Sequence, residues 1–374
     1  MWTGHVNGPA PVQPAAPTNS GLATATTAGS GANLPSVVAA PKKPFLPAFL
    51  SWPVVITGIP TIIVLAVLIF FAPVAFLLGF VPIIFVMPVL LWIDRIEPEP
   101  WSSKVHSFLW GMFVAGFISV IVNTTVGFFL GEAVAAVASA PIIEETTKAL
   151  AIVWMVKRKE IDGPLDGIVY AGWSALGFAV IENMSFFQQA IVNEMLVEVF
   201  VLRAIFTPFA HPLFTMWAGL AIGLAIRKRK PISTGIWGLL LAMFLHAAWN
   251  GSLVLAENGG GFITVIVLLL FVALFILSGF GLRQMRQRDQ ARYAQLVPFL
   301  ASRYNLNTNR TALLLDYKLR KMARIKIKDK EQLRKFQLEA GALVRLAALF
   351  DHDDMPNRED EARLYSQLVA AQSA

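Results

Sequence analysis

The sequence predicts an all-α, polytopic transmembrane helix bundle of about eight spans, with a disordered N-terminal arm and a helical C-terminal region. Hydrophobic residues make up 56% of the 374-residue chain and charged residues only 15%, whereas soluble domains carry roughly a quarter charged. Long apolar stretches recur from residue 53 onward. The loops between them alternate between Lys/Arg-bearing and Lys/Arg-free. The lipid bilayer is therefore the expected solvent.

The elements follow in chain order. Residues 1–47 are rich in Pro, Ala, Thr and Gly, with no charged residue before Lys42; such a segment cannot bury enough apolar surface to order itself. It lacks a basic start followed by an apolar run and so does not read as a signal peptide. A crossing takes about 20 apolar residues, which gives candidate spans at 53–71, 74–93, 106–130, 133–156, 165–188, 200–226, 232–255 and 262–282. Ala72-Pro73 leaves almost no loop, so a re-entrant hairpin is the alternative to two crossings there. Lys42–Lys43, Arg95 and Lys104, Lys157–Lys159, Arg227–Lys230 and everything from Arg283 fall on one side of the bundle. The positive-inside rule then places both termini in the cytoplasm of a cell-membrane protein.

Residues 53–282 form the expected membrane domain. Residues 283–374 hold 18 basic and 11 acidic side chains, against 13 of each in the rest of the chain, so the whole net charge of +7 lies in this tail. Leu333, Phe336, Ala340, Leu343, Ala347 and Phe350 recur at helical spacing. The basic surplus suits an anionic leaflet or an ordinary solvated helical domain. No nucleic-acid motif is present. Cysteine is absent, which excludes disulfides, thiol nucleophiles and thiolate metal sites.

Ionisable groups inside spans are costly and usually mark a functional path or site. Here they fall in four consecutive spans: Glu144, Glu145 and Lys148 in Pro141-Ile-Ile-Glu-Glu-Thr-Thr-Lys148, then Glu182-Asn183, then His211, then His246 and Asn250 in His-Ala-Ala-Trp-Asn. Four-residue spacing puts Glu144 beside Lys148, and His246 beside Asn250. Glu144 and Glu145 differ by about 100° around their helix, so one of them faces a shared site squarely. Counted from the ends of the spans, these residues fall in a slab roughly 10 Å thick, which favours one polar cavity.

Carboxylates and imidazoles can activate a water molecule directly or through a bound metal. Glu144, His211 and His246 are a plausible ligand set for one divalent ion such as zinc. Asn250 can hold an oxyanion or orient an imidazole. There is no HExxH and no GxSxG. Hydrolysis and ion-coupled transport both use these residue types, but transporters often carry internal repeats, and none is evident. Arg203, in the outer turn of the sixth span, is expected to snorkel to the interface. Asp94, Glu97 and Glu99, interleaved with prolines, are expected to form a structural turn.

Five pieces, in order, resemble the PrsW family of intramembrane proteases, itself distantly similar to the CAAX prenyl protease and bacteriocin-processing group. They are Asp94-Arg-Ile-Glu-Pro-Glu-Pro100, Glu144-Glu-Thr-Thr-Lys148, Phe178-Ala-Val-Ile-Glu-Asn183, His211 with Phe214 and Thr215, and His246-Ala-Ala-Trp-Asn250. The resemblance implies a peptidase that cleaves a membrane-associated protein, in this family typically an anti-sigma factor. Its catalytic residues would be Glu144, Glu145, Glu182, His211, His246 and Asn250.

Overall fold

A computed structural model describes residues 47, 49–257, 259, 261–351 and 358–373. The arm expected over residues 1–47 therefore lies almost wholly outside the described residues. The described chain is helical throughout, without strands. The membrane part runs α1 (Trp52–Phe71), α2 (Pro73–Gly79), α3 (Val81–Ile93), α4 (Trp101–Leu130), α5 (132–157), α6 (Pro164–Val192), α7 (196–206), α8 (Ala210–Arg227), α9 (Ile236–Glu257) and α10 (Gly261–Arg303). Four shorter helices follow: α11 (Thr308–Leu315), α12 (Tyr317–Lys326), α13 (Lys330–Asp351) and α14 (Arg358–Ser373).

Among the described residues, seven segments are long and apolar enough to cross a membrane. The expected fourth span, α5, is helical as well, but Glu144, Glu145 and Lys148 raise its polarity above that of an ordinary apolar crossing. Outer faces are strongly apolar and exposed, Phe70 at 79% and Phe128 at 82% among them. A surface of that kind suits lipid and not water. The chain is a multi-pass membrane protein.

At the centre lies α6, buried on nearly all sides. It crosses α8 at a point where two glycines meet: a Cβ on Gly167 would sit 2.1 Å from the Gly219 carbonyl oxygen, and one on Gly219 2.2 Å from that of Gly167. Small residues at a crossing allow backbones to approach closely, the main source of helix attraction in lipid. This contact fixes the helix bearing Glu182 against the helix bearing His211.

Two irregularities shape the site. In α5 a π-helical turn covers Ala135–Ser139, with the Ala140 amide donating to Ala135. The next donor in that register would be Pro141, which has no N–H, so the Ala136 carbonyl is freed. In the second case the chain breaks at Thr207–Phe209, and α8 begins afresh at Ala210. Pro212 therefore occupies a first turn, where a missing N–H costs nothing, and it does not distort the helix at His211.

The loop between α3 and α4 is more than a turn. Asp94 pairs with Lys104 at 2.6 Å, and the Tyr170 hydroxyl donates to Glu99 at 2.6 Å. Tyr293 donates to Glu97, and Arg320 donates to the backbone carbonyls of Arg95 and Ile96. Lys104, expected in a charged loop, is instead buried within α4. Ile96 joins the apolar core of the C-terminal helices, whose α13 face includes Phe336, Ala340, Leu343 and Ala347. The amphipathic face seen in the sequence thus packs inward, and α10 carries the chain from the membrane domain into this unit without interruption.

Candidate active site

Five of the six expected site residues come together. Glu145 is the hub, fully buried and accepting three hydrogen bonds: from Lys148 Nζ at 2.6 Å, Thr215 Oγ1 at 2.7 Å and His246 Nδ1 at 3.0 Å. Lys148 Nζ also lies 3.2 Å from His211 Nδ1 and 4.3 Å from the centre of the Phe178 ring. His211 Nε2 meets Glu182 Oε2 at 2.8 Å. Glu182, His211, Lys148, Glu145 and His246 thus form one continuous polar chain across α5, α6, α8 and α9.

Glu144 stands beside that chain. Its Oε1 accepts from Asn123 Nδ2 at 3.1 Å. Its Oε2 is buried with no hydrogen-bond partner, 3.8 Å from both His246 Nε2 and Lys148 Nζ. Spacing alone made Glu144 the partner of Lys148; the closer ion pair is with Glu145, three residues away. Lys148 leans back toward the helix start, as helical side chains do.

Two other expectations change. Arg203 does not snorkel: its guanidinium bonds Glu182 and, at 2.6 Å, the Asn183 side-chain oxygen, and it lies 3.7 Å from the centre of the Phe186 ring. The π-helical turn in α7 (Val201–Phe206) holds it inside the bundle. Asn250 shares a helix with His246, but its amide nitrogen donates to the Ala136 carbonyl at 2.8 Å, the acceptor that Pro141 leaves free. The contact ties α9 to α5.

Sequence reasoning passed over Asn123, which orients Glu144 and is itself held by Ser139 at 2.8 Å. An uncharged amide within an apolar run is a weaker signal than a charge. Thr215 was part of a resembling piece, and its position four residues after His211 puts it on the same helix face.

The donor set suits a divalent metal. One ligand atom each from Glu144, His211 and His246 lie within 4.8 Å of one another. Each imidazole turns one nitrogen toward a carboxylate, His246 Nδ1 on Glu145 and His211 Nε2 on Glu182, the outer-shell arrangement that orients metal-binding histidines. His211 Nδ1 faces Lys148 Nζ at 3.2 Å, a contact that a metal would have to displace. The orphaned Glu144 oxygen supplies the anionic donor. Two imidazoles and one carboxylate are a common zinc set.

Residues 99–278 match the family described as PrsW family intramembrane metalloprotease. That stretch takes in α4 to α9, the first part of α10 and every site residue named above. Protease PrsW of Geobacillus kaustophilus (strain HTA426) is 31% identical over 212 residues, which cover 55% of this chain and 88% of that protein. Protease PrsW of Clostridioides difficile (strain 630) is 30% identical over 187 residues, covering 47% and 77% respectively. No solved structure matches the chain. With a buried Glu/His site carried on the matched helices, and relatives aligned over most of their length, the chain belongs to the PrsW family of intramembrane proteases.

Proposed function

We propose that this membrane protease is an endopeptidase that hydrolyses a peptide bond of a membrane-associated protein with water activated by Glu144. The observation that carries the assignment is the Glu144 Oε2 atom, buried, without a partner, and bordered by His246 and Lys148 at 3.8 Å. A buried carboxylate oxygen without a donor is costly, and here it faces groups able to bind water or a metal. The substrate class is the one that the resemblance to the PrsW family implies: an anti-sigma factor or a similar membrane-anchored regulator.

In this reading Asn123 holds one Glu144 oxygen so that the other faces the reacting water. Glu144 takes a proton from that water, and the oxygen adds to the scissile carbonyl carbon. As the tetrahedral adduct collapses and the C–N bond breaks, Glu144 returns the proton to the leaving nitrogen. Lys148 is the nearest cation to the oxyanion, and Glu145 and Glu182 orient the imidazoles. Should Glu144, His211 and His246 instead hold a metal ion, the ion would supply Lewis acidity that lowers the pKa of coordinated water, in place of direct proton abstraction by the free Glu144 oxygen. Asn250 braces α5 and takes no part in the chemistry.

The test pairs metal analysis of the purified chain with cleavage of a reconstituted membrane substrate. The unmodified protein should hold one equivalent of zinc or another divalent ion. His246→Asn should lose both metal and activity. Glu144→Gln should lower the cleavage rate on the order of 10²–10⁴-fold. A metal-free, fully active protein would leave Glu144 as a metal-independent base; unmodified cleavage by Glu144→Gln would sink the assignment. Transport by the same cluster is the weaker reading, since the relatives are named proteases.

Orientation follows the basic loops: both termini are placed in the cytoplasm. The chain has no native cysteine, so cysteines introduced at Lys228 and Glu257 report cleanly. Labelling from outside at 228 and not at 257 would reverse the assignment.

A further inference from the structure

An open apolar groove lies between α3, α6, α8 and α10, on a different face of α8 from His211 and Thr215. Its walls include Leu90, Trp92, Phe209, Met216, Phe275 and Leu282. Gly279 also lines it, and a Cβ there would meet nothing within 4 Å. One helical turn beyond Leu282 stands Arg286, only 5% exposed, its guanidinium carbon 4.0 Å from the centre of the Trp92 ring. Arg95 approaches the same ring at 5.6 Å and the Tyr317 ring at 4.7 Å.

The two arginines lack the partners that other arginines of the C-terminal helices have. Arg320 donates to the Leu314 carbonyl at 2.7 Å, and Arg303 pairs with Glu361 at 2.6 Å. Arg95 Nε and Arg286 Nε are both buried without any hydrogen-bond partner. Among the described residues neither guanidinium is paired with a carboxylate, and the nearest charge acting on Arg286 is that of Arg95. Two like charges near one ring, Arg286 buried and Arg95 half-buried, with no carboxylate partner, are costly unless an anion joins them.

The location narrows the anion. Trp92 ends α3, and Arg286 follows directly on the apolar run of α10, so both sit where the hydrocarbon gives way to headgroups. A soluble anion would use the arginines and leave the groove bare. A phospholipid uses both: phosphate oxygens match the forked guanidinium donors, and the acyl chain covers the apolar walls. We propose that this groove binds one anionic phospholipid, its phosphate on Arg95 and Arg286 and one acyl chain between α3, α8 and α10. Phe209 and Met216 flank His211 along the chain, so the bound lipid also braces the start of the helix that carries this site residue.

Native mass spectrometry of the full-length, delipidated chain in detergent tests the proposal, with phosphatidylglycerol and phosphatidylcholine offered at equal concentration. One phosphatidylglycerol should be retained, with a preference of roughly tenfold or more from two interfacial arginines. R95Q/R286Q should bring the two lipids to parity. Gly279→Phe, whose ring enters open space, should lower retention of both. Should R95Q/R286Q fail to fold, Gly279→Phe decides, because nothing there opposes folding. Equal retention of the two lipids by the unmodified chain would overturn the proposal. So would a preference that survives R95Q/R286Q, retention untouched by Gly279→Phe, or displacement of the lipid by inorganic phosphate at the same concentration.

Discussion

Glu144 and Glu145 are neighbours of the same chemistry, and the structure assigns them opposite responses to the same substitution. Glu145→Gln removes the anion that holds Lys148 at 2.6 Å and weakens the hydrogen bonds from Thr215 and His246. Glu144→Gln removes a carboxylate 3.8 Å from Lys148 and can keep the Asn123 hydrogen bond through its amide oxygen. With an effective dielectric of about 20, the Coulomb attraction to Lys148 is about 6 kcal/mol at the shorter distance and about 4 kcal/mol at the longer. These are gross values, most of which desolvation offsets. In net terms, breaking the buried Glu145–Lys148 pair should cost about 3–5 kcal/mol of stability. Glu144→Gln, which leaves that pair intact, should cost no more than about 1 kcal/mol, an ordinary hydrogen-bond contribution.

The assay is thermal unfolding in detergent beside cleavage of a reconstituted membrane substrate. Glu144→Gln should melt near the unmodified protein yet cleave 10²–10⁴-fold more slowly, in keeping with loss of a general base. Glu145→Gln should melt far lower and accumulate poorly. The double change Glu144→Gln with Lys148→Met, which helical spacing alone recommends as a charge-balanced control, should be worse than Glu144→Gln, because it strands Glu145. Equal melting of the two single variants, or stabilisation by the double change, would refute the hub assigned to Glu145.

Three further outcomes follow from particular contacts. Arg203→Met frees Glu182, which orients His211; cleavage should fall at least tenfold with a modest change in melting, because this pair is partly exposed. Gly219→Ala drives a methyl to 2.2 Å from the Gly167 carbonyl, and the overpacking should cost about 1–3 kcal/mol and lower activity through the α6–α8 crossing. Burial, and then repulsion from Asp162, holds the Glu97 carboxyl well above its usual 4.5. The folded state therefore binds that proton more tightly than the unfolded chain, so stability is greatest below about 4.5 and declines as pH rises toward the raised value. Glu97→Gln keeps an acceptor for Tyr293 and removes the titration. Its melting temperature should exceed that of the unmodified chain at pH 8 and match it near pH 4, and a higher melting temperature at pH 4 alone would contradict the sign.

The membrane fold and the clustering of most candidate site residues were legible because both show in how charge is distributed along apolar runs. Apolar runs located α1, α4, α6 and the start of α10 within a few residues, and six ionisable groups stood out against them. Charge in a span is a signal that needs no tertiary information. What could not be read was pairing. Spacing puts Lys148 next to both Glu144 and Glu145, and only the positions of Thr215 and His246 on other helices decide which carboxylate it binds. Arg203 shows the same limit: an arginine near a span end reads as snorkelling, and the π-helical turn that rotates it inward has no sequence mark. Asn250 misled in a more instructive way. Its position near His246 suggested chemistry, whereas its partner is a carbonyl freed 114 residues earlier by Pro141.

The charge balance of the cluster supports the role proposed for Glu144. Three carboxylates, Glu144, Glu145 and Glu182, face two permanent cations, Lys148 and Arg203. Each cation is bound closely to one carboxylate, Lys148 to Glu145 and Arg203 to Glu182, which leaves one anion over. That anion is Glu144, and its excess is concentrated on Oε2, the atom that nothing in the protein satisfies. In a low-dielectric interior such an atom attracts whatever positive charge can reach it, a proton from water or a divalent ion. The polar network around it is saturated and therefore rigid. The open positions of the site are the Glu144 Oε2 and His246 Nε2 atoms, 3.8 Å apart, and a water molecule held there would meet a base and an imidazole together.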